Sequence, residues 1–487
     1  MTLGLRMDIP LFFDTPTENA GFNEYAASKG WGYKTNQKLS STPLFSPRLG
    51  FRWVADDYEK LVLRGGLGIF TGRIPFVWLS NNFSNTGIQL STYNTTSAGD
   101  LSLILDPNKQ TQNTDLLTAA GSQTINVFSD DFKFAQNFRI NLGLDFEVGG
   151  IDWTAEAIYS KTLNDILYQN LAYDMNGKTL GETVSGLTFD QRPMFERVTT
   201  GTDYAYIYAL SNTSKGYTYN LSLKGEKKFD FGLDLMASYT FTRSKSLNSG
   251  TSSVAQSNWA YNYTRGDANN PELGFSAFNT PHRINASVFY HKEYGRSSCN
   301  SWTTTVGLLY TGSSGAPYSI YYNGDLNGDS SNGNDLIFIP TDAQIDQMPF
   351  LATSAYTVEQ QRANMKSWVA NDSYLSKHRG EYYDRYADNE DFEHHFDFHI
   401  AQKLNFNVCD RTHSLELSFD IINVGNMFNK KWGHYASAGG SATYYSPITY
   451  NSSSQAFQFL HDADYNMRSY SDYYSRWRGQ VGLKYIF

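Results

Sequence analysis

No stretch of this sequence approaches the roughly 18 consecutive apolar residues that carry a helix across a bilayer, which excludes an α-helical membrane protein. Cysteine is nearly absent. Cys299 and Cys409 are the only two, too few for a disulfide scaffold or a zinc ribbon. No basic run accompanies the net charge of −9, so nothing supports a nucleic-acid partner. The first residues lack the basic segment, apolar core and small-residue cleavage site of an export signal. No Ser/His/Asp order, nucleophile elbow or carboxylate pair in an apolar setting stands out either.

Aromatic residues are plentiful instead, 16 % of the chain with 35 Tyr and 32 Phe, yet mean hydropathy is −0.47. Rings without overall hydropathy suit a membrane β-barrel, which needs aromatic girdles and an apolar outer band around a polar lumen. The last residues show the repeating unit. Trp477, Val481, Leu483, Tyr485 and Phe487 share one parity, Arg478, Gln480 and Lys484 the other, and only Ile486 breaks the polar side. Side chains of a strand point alternately to opposite faces, so this is a ribbon with one apolar and one charged face. The spacing of Gln480, Gly482, Tyr485 and Phe487 resembles the C-terminal assembly signal of bacterial outer-membrane β-barrel proteins. That resemblance implies outer-membrane lipid and the barrel assembly machinery as partners.

Twelve segments fit the ribbon of about ten alternating residues. The first carries Leu3, Leu5, Met7 and Ile9; the second Leu49, Phe51 and Trp53; the third Leu61, Leu63, Leu67 and Ile69. The fourth is the cleanest, with Phe138, Ile140, Leu142, Leu144 and Phe146 opposite Arg139, Asn141, Asp145 and Glu147. The others begin near Ile151, Tyr217, Phe231, Ile284, Trp302, Phe396, Leu415 and Trp477. An Arg or Lys at the bilayer midplane costs about 2–4 kcal/mol, so the apolar parity is predicted to meet lipid. Short turns are predicted near 56–59, 149–150, 230, 294–299 and 409–412, alternating with long polar stretches. Short periplasmic turns and long extracellular loops are the asymmetry of such barrels, which puts the C-terminus in the periplasm. The whole of 1–487 is thus read as one all-β, antiparallel transmembrane barrel domain. The strand-like start and missing signal lead to the expectation that it is the C-terminal portion of a longer chain, its first and last strands left unpaired.

Leu44-Phe45-Ser46-Pro47-Arg48-Leu49-Gly50-Phe51, Leu63-Arg64-Gly65-Gly66-Leu67-Gly68-Ile69-Phe70 through Trp78, and Gly324-Asp325-Leu326-Asn327-Gly328-Asp329 with Asn334-Asp335-Leu336-Ile337 carry a family resemblance. The chain resembles the C-terminal half of a Bacteroidetes TonB-dependent outer-membrane transporter of the Oar-like type. The resemblance implies the last 12 strands of a 22-strand barrel, with a plug domain and a TonB-contacting segment that this sequence does not contain. It implies a transport protein rather than an enzyme, whose extracellular loops bind a ligand that passes to the periplasm. A self-contained porin, a barrel enzyme and a surface adhesin are the alternatives. The residues do not identify the ligand.

Among candidate sites, Asp325, Asn327, Asp329 and Asp335 place oxygen ligands at alternate positions in a Gly-rich loop, as Ca²⁺ prefers. Ser330 stands where a helical calcium loop has Gly, and Leu336 where it has the bidentate Glu, so a plain Asp/Asn/Gly turn is the competing reading. His395, Asp397 and His399 share one strand face, with His394 beside them, near enough for a metal or for ordinary wall hydrogen bonds. The charges of Arg139, Asp145, Glu147, Asp152, Glu156 and Arg283 are expected to pair with one another or with a plug. Tyr204, Tyr206, Tyr208, Tyr444, Tyr445 and Tyr450 are candidates for stacking on sugars or peptides, or for interface anchoring. Cys299 and Cys409 fall at the same rim of adjacent strands, both facing inward by parity, which makes them a disulfide candidate.

Overall fold

The computed structural model describes all residues except 56–59, 91–105, 107, 109–122, 298–299, 409–410 and 438–443. Each predicted ribbon is a strand. They are β1 Thr2–Asp8, β2 Leu44–Val54, β3 Leu61–Thr71, β4 Gln136–Val148, β5 Ile151–Asn170 and β6 Gly216–Lys228. Then come β7 Leu233–Ser246, β8 His282–Tyr294, β9 Asn300–Ser313, β10 Glu393–Val408, β11 Arg411–Ile422 and β12 Arg478–Ile486. All twelve lie in chain order along one antiparallel path within a 15-stranded sheet.

The path does not close. Among the described residues β1 pairs only with β2, and β12 only with β11. Both ends therefore present a free ladder edge, as expected from the strand-like start of the sequence.

Register puts like with like. One row runs Leu233, Tyr290, Val306, Ile400, Phe419, Val481 across six strands. The next row, on the other face, runs Asp234, Phe289, Gly307, His399, Asp420, Gln480. A one-residue slip would exchange the two faces. The polar face is cross-linked by charge. Arg64 donates to Asp145 at 2.9 Å and to Glu156 at 2.6 Å, while His291 meets Asp234 at 2.9 Å. The mixed wall charges thus pair partly among themselves, although Arg139 instead donates to the Ser160 hydroxyl at 3.1 Å.

All connections on one rim are short. The β4–β5 turn is Gly149-Gly150, with φ of +67° and +66°. Two consecutive positive φ values are the hairpin turn whose twist suits antiparallel strands, and glycine adopts them at no steric cost. The opposite rim carries the long connections, and these are folded. Strand Pro317–Asn323 lies parallel to Tyr444–Asn451, flanked by Ala456–Gln458 and Asp388–Asn389. Tyr318, Ile320, Ile337, Ile339, Trp368 and Ile448 are among the buried residues of its core. Helix Val358–Asn371 closes one side. It starts at a capping box, where Gln360 N–H donates to Thr357 Oγ1 at 3.2 Å and Thr357 N–H to Gln360 Oε1 at 2.9 Å. It buries Gln361, Met365, Trp368 and Val369, the spacing of one helical face. Gln361 donates to the Leu351 carbonyl at 2.8 Å and accepts from Phe459 N–H at 3.0 Å, tying two loops to the helix. Two smaller cores, around Trp259 and around Phe22, fill the remainder of this cap.

Candidate functional site

The acidic loop lies inside the cap. Asn327, Asp329, Asn334 and Asp335 are all buried. Their oxygens serve the loop itself: Asp325 accepts from Gly328 N–H at 2.7 Å and Ser330 N–H at 3.0 Å, and Asp329 from Ser331 N–H at 2.8 Å. Asp329 also accepts from Asn334 Nδ2 at 2.6 Å, and Asp335 from Leu326 N–H at 3.2 Å. The Asp325–Gly328 and Asp329–Ser331 bonds are turns in which an Asp side chain bonds backbone two or three residues on, and the others close the loop across longer spans. A residue 143 positions away supplies the positive charge. Buried Arg192 donates to Asp335 Oδ1 at 3.2 Å, to the Leu336 carbonyl at 3.0 Å and to Asp190 at 3.0 Å. The Tyr322 and Tyr382 rings lie 5.4 and 5.5 Å from its guanidinium. Burial pushes the Asp335 carboxyl up to about 6 against the pull of Arg192, and burial, with Asp335 close by, raises Asp329 well above the usual carboxylate range. Among the described residues, no three His, Cys, Asp or Glu side chains are grouped to hold a metal.

The histidine cluster divides along the sheet. His399 Nδ1 meets Asp420 at 2.6 Å, His395 Nε2 meets Glu393 at 3.4 Å, and Asp397 accepts from Asn423 N–H at 2.7 Å. Each polar-face group has its own wall partner, while His394 points to the apolar face and meets the Tyr310 hydroxyl at 2.8 Å. The tyrosine clusters are largely structural. Tyr208 is buried, Tyr204 packs on Phe22, Tyr445 donates to Glu390 at 2.5 Å and Tyr450 packs on Phe457. Of the six only Tyr444 is exposed, at the start of the strand that also carries Tyr445 and Tyr450, and its ring packs on Tyr263 and Tyr321.

The cap's surface holds a polar cavity of about 310 Å³ that sequence reasoning missed. Asp372, Asp391, Asp464 and Arg468 line it over Trp368 and Tyr465. Arg468 bonds Asp388 at 3.2 Å and Asp391 at 3.0 Å, fixing one wall. Its walls come from two different connections, so no local motif marks them.

β12 stands at the sheet's edge. Gln480 pairs with Asp420, Gly482 with Ser418 and Tyr485 with Leu415. The Tyr485 hydroxyl meets His413 at 2.6 Å, and Phe487 is 87 % exposed. Cys299 and Cys409 lie outside the described residues, as does the predicted turn at 56–59. The strands flanking the cysteines do pair, as far as Asn300 with Phe406.

Several solved structures are similar to this chain. The outer membrane transporter YddB from Escherichia coli is 12 % identical with a TM-score of 0.39, over 93 % of this chain and 42 % of that one. The siderophore receptor PirA from Acinetobacter baumannii is 10 % identical with a TM-score of 0.33, over 81 % and 38 %. A ferric enterobactin receptor from Pseudomonas aeruginosa is 10 % identical with a TM-score of 0.34, over 80 % and 36 %. The chain thus spans less than half the length of each. No curated protein matches it. The model of one family, described as outer membrane beta barrel domain, matches residues 4–459. This chain, with its ladder of alternating strands, belongs to that outer-membrane β-barrel family.

Proposed function

We infer that the chain is the C-terminal part of the barrel of a TonB-dependent importer of the Bacteroidetes, Oar-like kind. The observation that carries this reading is the open sheet, twelve strands whose two edges are unpaired among the described residues. An even set that closed on itself would be a complete small barrel; an open one calls for further strands, here an N-terminal barrel half. A plug within that barrel and the TonB complex would gate and energise passage. In this reading the folded rim is extracellular and the short-turn rim periplasmic, with the barrel assembly machinery taking the free β12 edge. The cap captures the ligand, and the cavity beneath Asp391 and Arg468 is the place for it. The chain does no catalysis.

A disulfide trap tests this against a self-contained porin. With Cys299 and Cys409 replaced by Ser, Leu5→Cys and Leu483→Cys place thiols on the two terminal strands. In outer membranes no bridge is expected between them; an efficient bridge means that β1 and β12 are neighbours and rules the importer reading out.

For the acidic loop we infer a metal-free turn in which Arg192 replaces a bound cation. Raised carboxyl pKa values mean the folded state holds protons that the unfolded chain has lost. Stability from Asp335 therefore falls as pH rises from about 4 to about 6, and the penalty is complete above that. Asp329→Asn at pH 7.5 is expected to stabilise the cap on the order of 1 kcal/mol, the scale of one buried polar group. Millimolar Ca²⁺ should leave the melting of the wild-type cap unchanged. Stabilisation by Ca²⁺ that Asp329→Asn abolishes would instead establish a calcium site.

A further inference from the structure

The polar face of β2, β3 and β4 carries two arginines that the wall does not neutralise. Register sets Arg48, Gly68 and Arg139 in one row across these strands, between Gly4 of β1 and Ser160 of β5. On one side of the row stand Arg6 with Ser46 and Phe70 with Asn137. On the other stand Gly50, Gly66 and Asn141. By register, the carboxylates flanking these rows are Asp8, Asp145 and Glu156, and each already has a cation. Arg6 holds Asp8 at 2.6 Å, and Arg64 holds both Asp145 and Glu156. Arg48 and Arg139 are exposed and make no ion pair among the described residues.

One aromatic ring gathers the two charges. The guanidinium carbons of Arg48 and Arg139 lie 4.6 and 5.8 Å from the centre of the Phe70 ring. Cations are drawn to a ring face, but two of them over one ring repel each other. An anion between them removes that repulsion. Arg139 spends only Nε, on the Ser160 hydroxyl, so its terminal nitrogens keep their donors. Arg48 donates no hydrogen bond among the described residues. Gly68 leaves the space between them open: a Cβ there would lie 3.0 Å from Arg48 Cγ. Arg139 is three residues in from Gln136, the end of β4 next to the folded rim. The pair therefore lies on the barrel's inner wall just beneath the cap.

We propose that Arg48 and Arg139, steadied by Phe70, form a site for a phosphate or a pair of carboxylates on the ligand, met as it leaves the cap. The planar guanidinium fork matches either anion in two parallel bonds, which an ammonium does not. The passage rests on the importer reading; the binding does not.

Titration calorimetry of the full chain in detergent at low salt tests it, with pyrophosphate and citrate as probes that separate the two anion chemistries. Binding of at least one is expected. Arg48→Gln with Arg139→Gln should weaken it at least a hundredfold, about tenfold for each charge-assisted contact. Arg48→Lys with Arg139→Lys keeps the charge and should still lose about tenfold. Arg283→Gln, on the same face of β8, should change nothing. Failure of both probes to bind the wild type would overturn the proposal. Equal binding by the lysine pair, or equal weakening by Arg283→Gln, would show general charge attraction and overturn it too. The Leu5→Cys and Leu483→Cys trap judges the importer reading separately. A bridge there with anion binding intact removes the passage alone, and lost anion binding without a bridge removes the site alone.

Discussion

Arg192→Met is expected to unfold the cap while leaving the strand path assembled. The guanidinium is fully buried, holds Asp190 and Asp335, and donates to the Leu336 carbonyl. Methionine would fill much of the space but abandon two carboxylates in a low-dielectric interior. Breaking a buried ion pair from one side costs about 3–5 kcal/mol, because an uncompensated charge remains. Protease cleavage within 317–392 should rise sharply at neutral pH. The heat-dependent gel shift of the barrel should persist, since none of the strand ladders passes through this node. Adding Asp190→Asn and Asp335→Asn should restore protection, because neutralising the whole group removes the orphaned charges. Unchanged protection in the single variant would mean that Arg192 does not hold the cap together.

Leu142→Arg should impair insertion by about 2–4 kcal/mol, the penalty of a cation at the bilayer midplane. Leu142 sits at the centre of β4, half exposed on the apolar face, opposite Gly65 and Ala157. Its neighbour Asn141 has the opposite parity, and Asn141→Arg should assemble nearly as the wild type does. The pair controls for strand propensity, because both positions share one backbone environment. Urea titration of protein folded into lipid vesicles measures the difference. Equal tolerance at the two positions would contradict the assignment of the lipid face.

The strands were readable because parity is a repeated signal enforced by solvent. Phe138 to Phe146 alternates without a fault, and a lipid-facing charge is penalised wherever it falls. The cap followed no such rule. Tyr318, Trp368 and Ile448 meet in one core but come from separate stretches that look merely polar. A local signal did exist in Thr357 and Gln360, a capping box before the buried spacing of Gln361, Met365, Trp368 and Val369. The acidic loop was legible as a turn, but Arg192 was not, since nothing local links it to Asp335. Tyr206 and Tyr208 were ambiguous for a related reason: a run of tyrosines looks the same whether its rings face a ligand or, as here, stack on one another at 6.0 Å.

The strict chain order of the strand path has a kinetic meaning. Every ladder from β1 to β12 joins strands that are consecutive in the path, although cap elements lie within several of the connections, so each can close with no other strand of the path between its partners. Such a sheet can zip hairpin by hairpin, the route with the least entropy to pay before contacts reward it. The parallel ladder of Pro317–Asn323 with Tyr444–Asn451 is different, because β10 and β11 intervene between its two halves. The Arg192 contact spans 143 residues. The cap must therefore wait for its scaffold: the wall rises first, and the cap's cores set only after the strands beneath have fixed the distances between their parts.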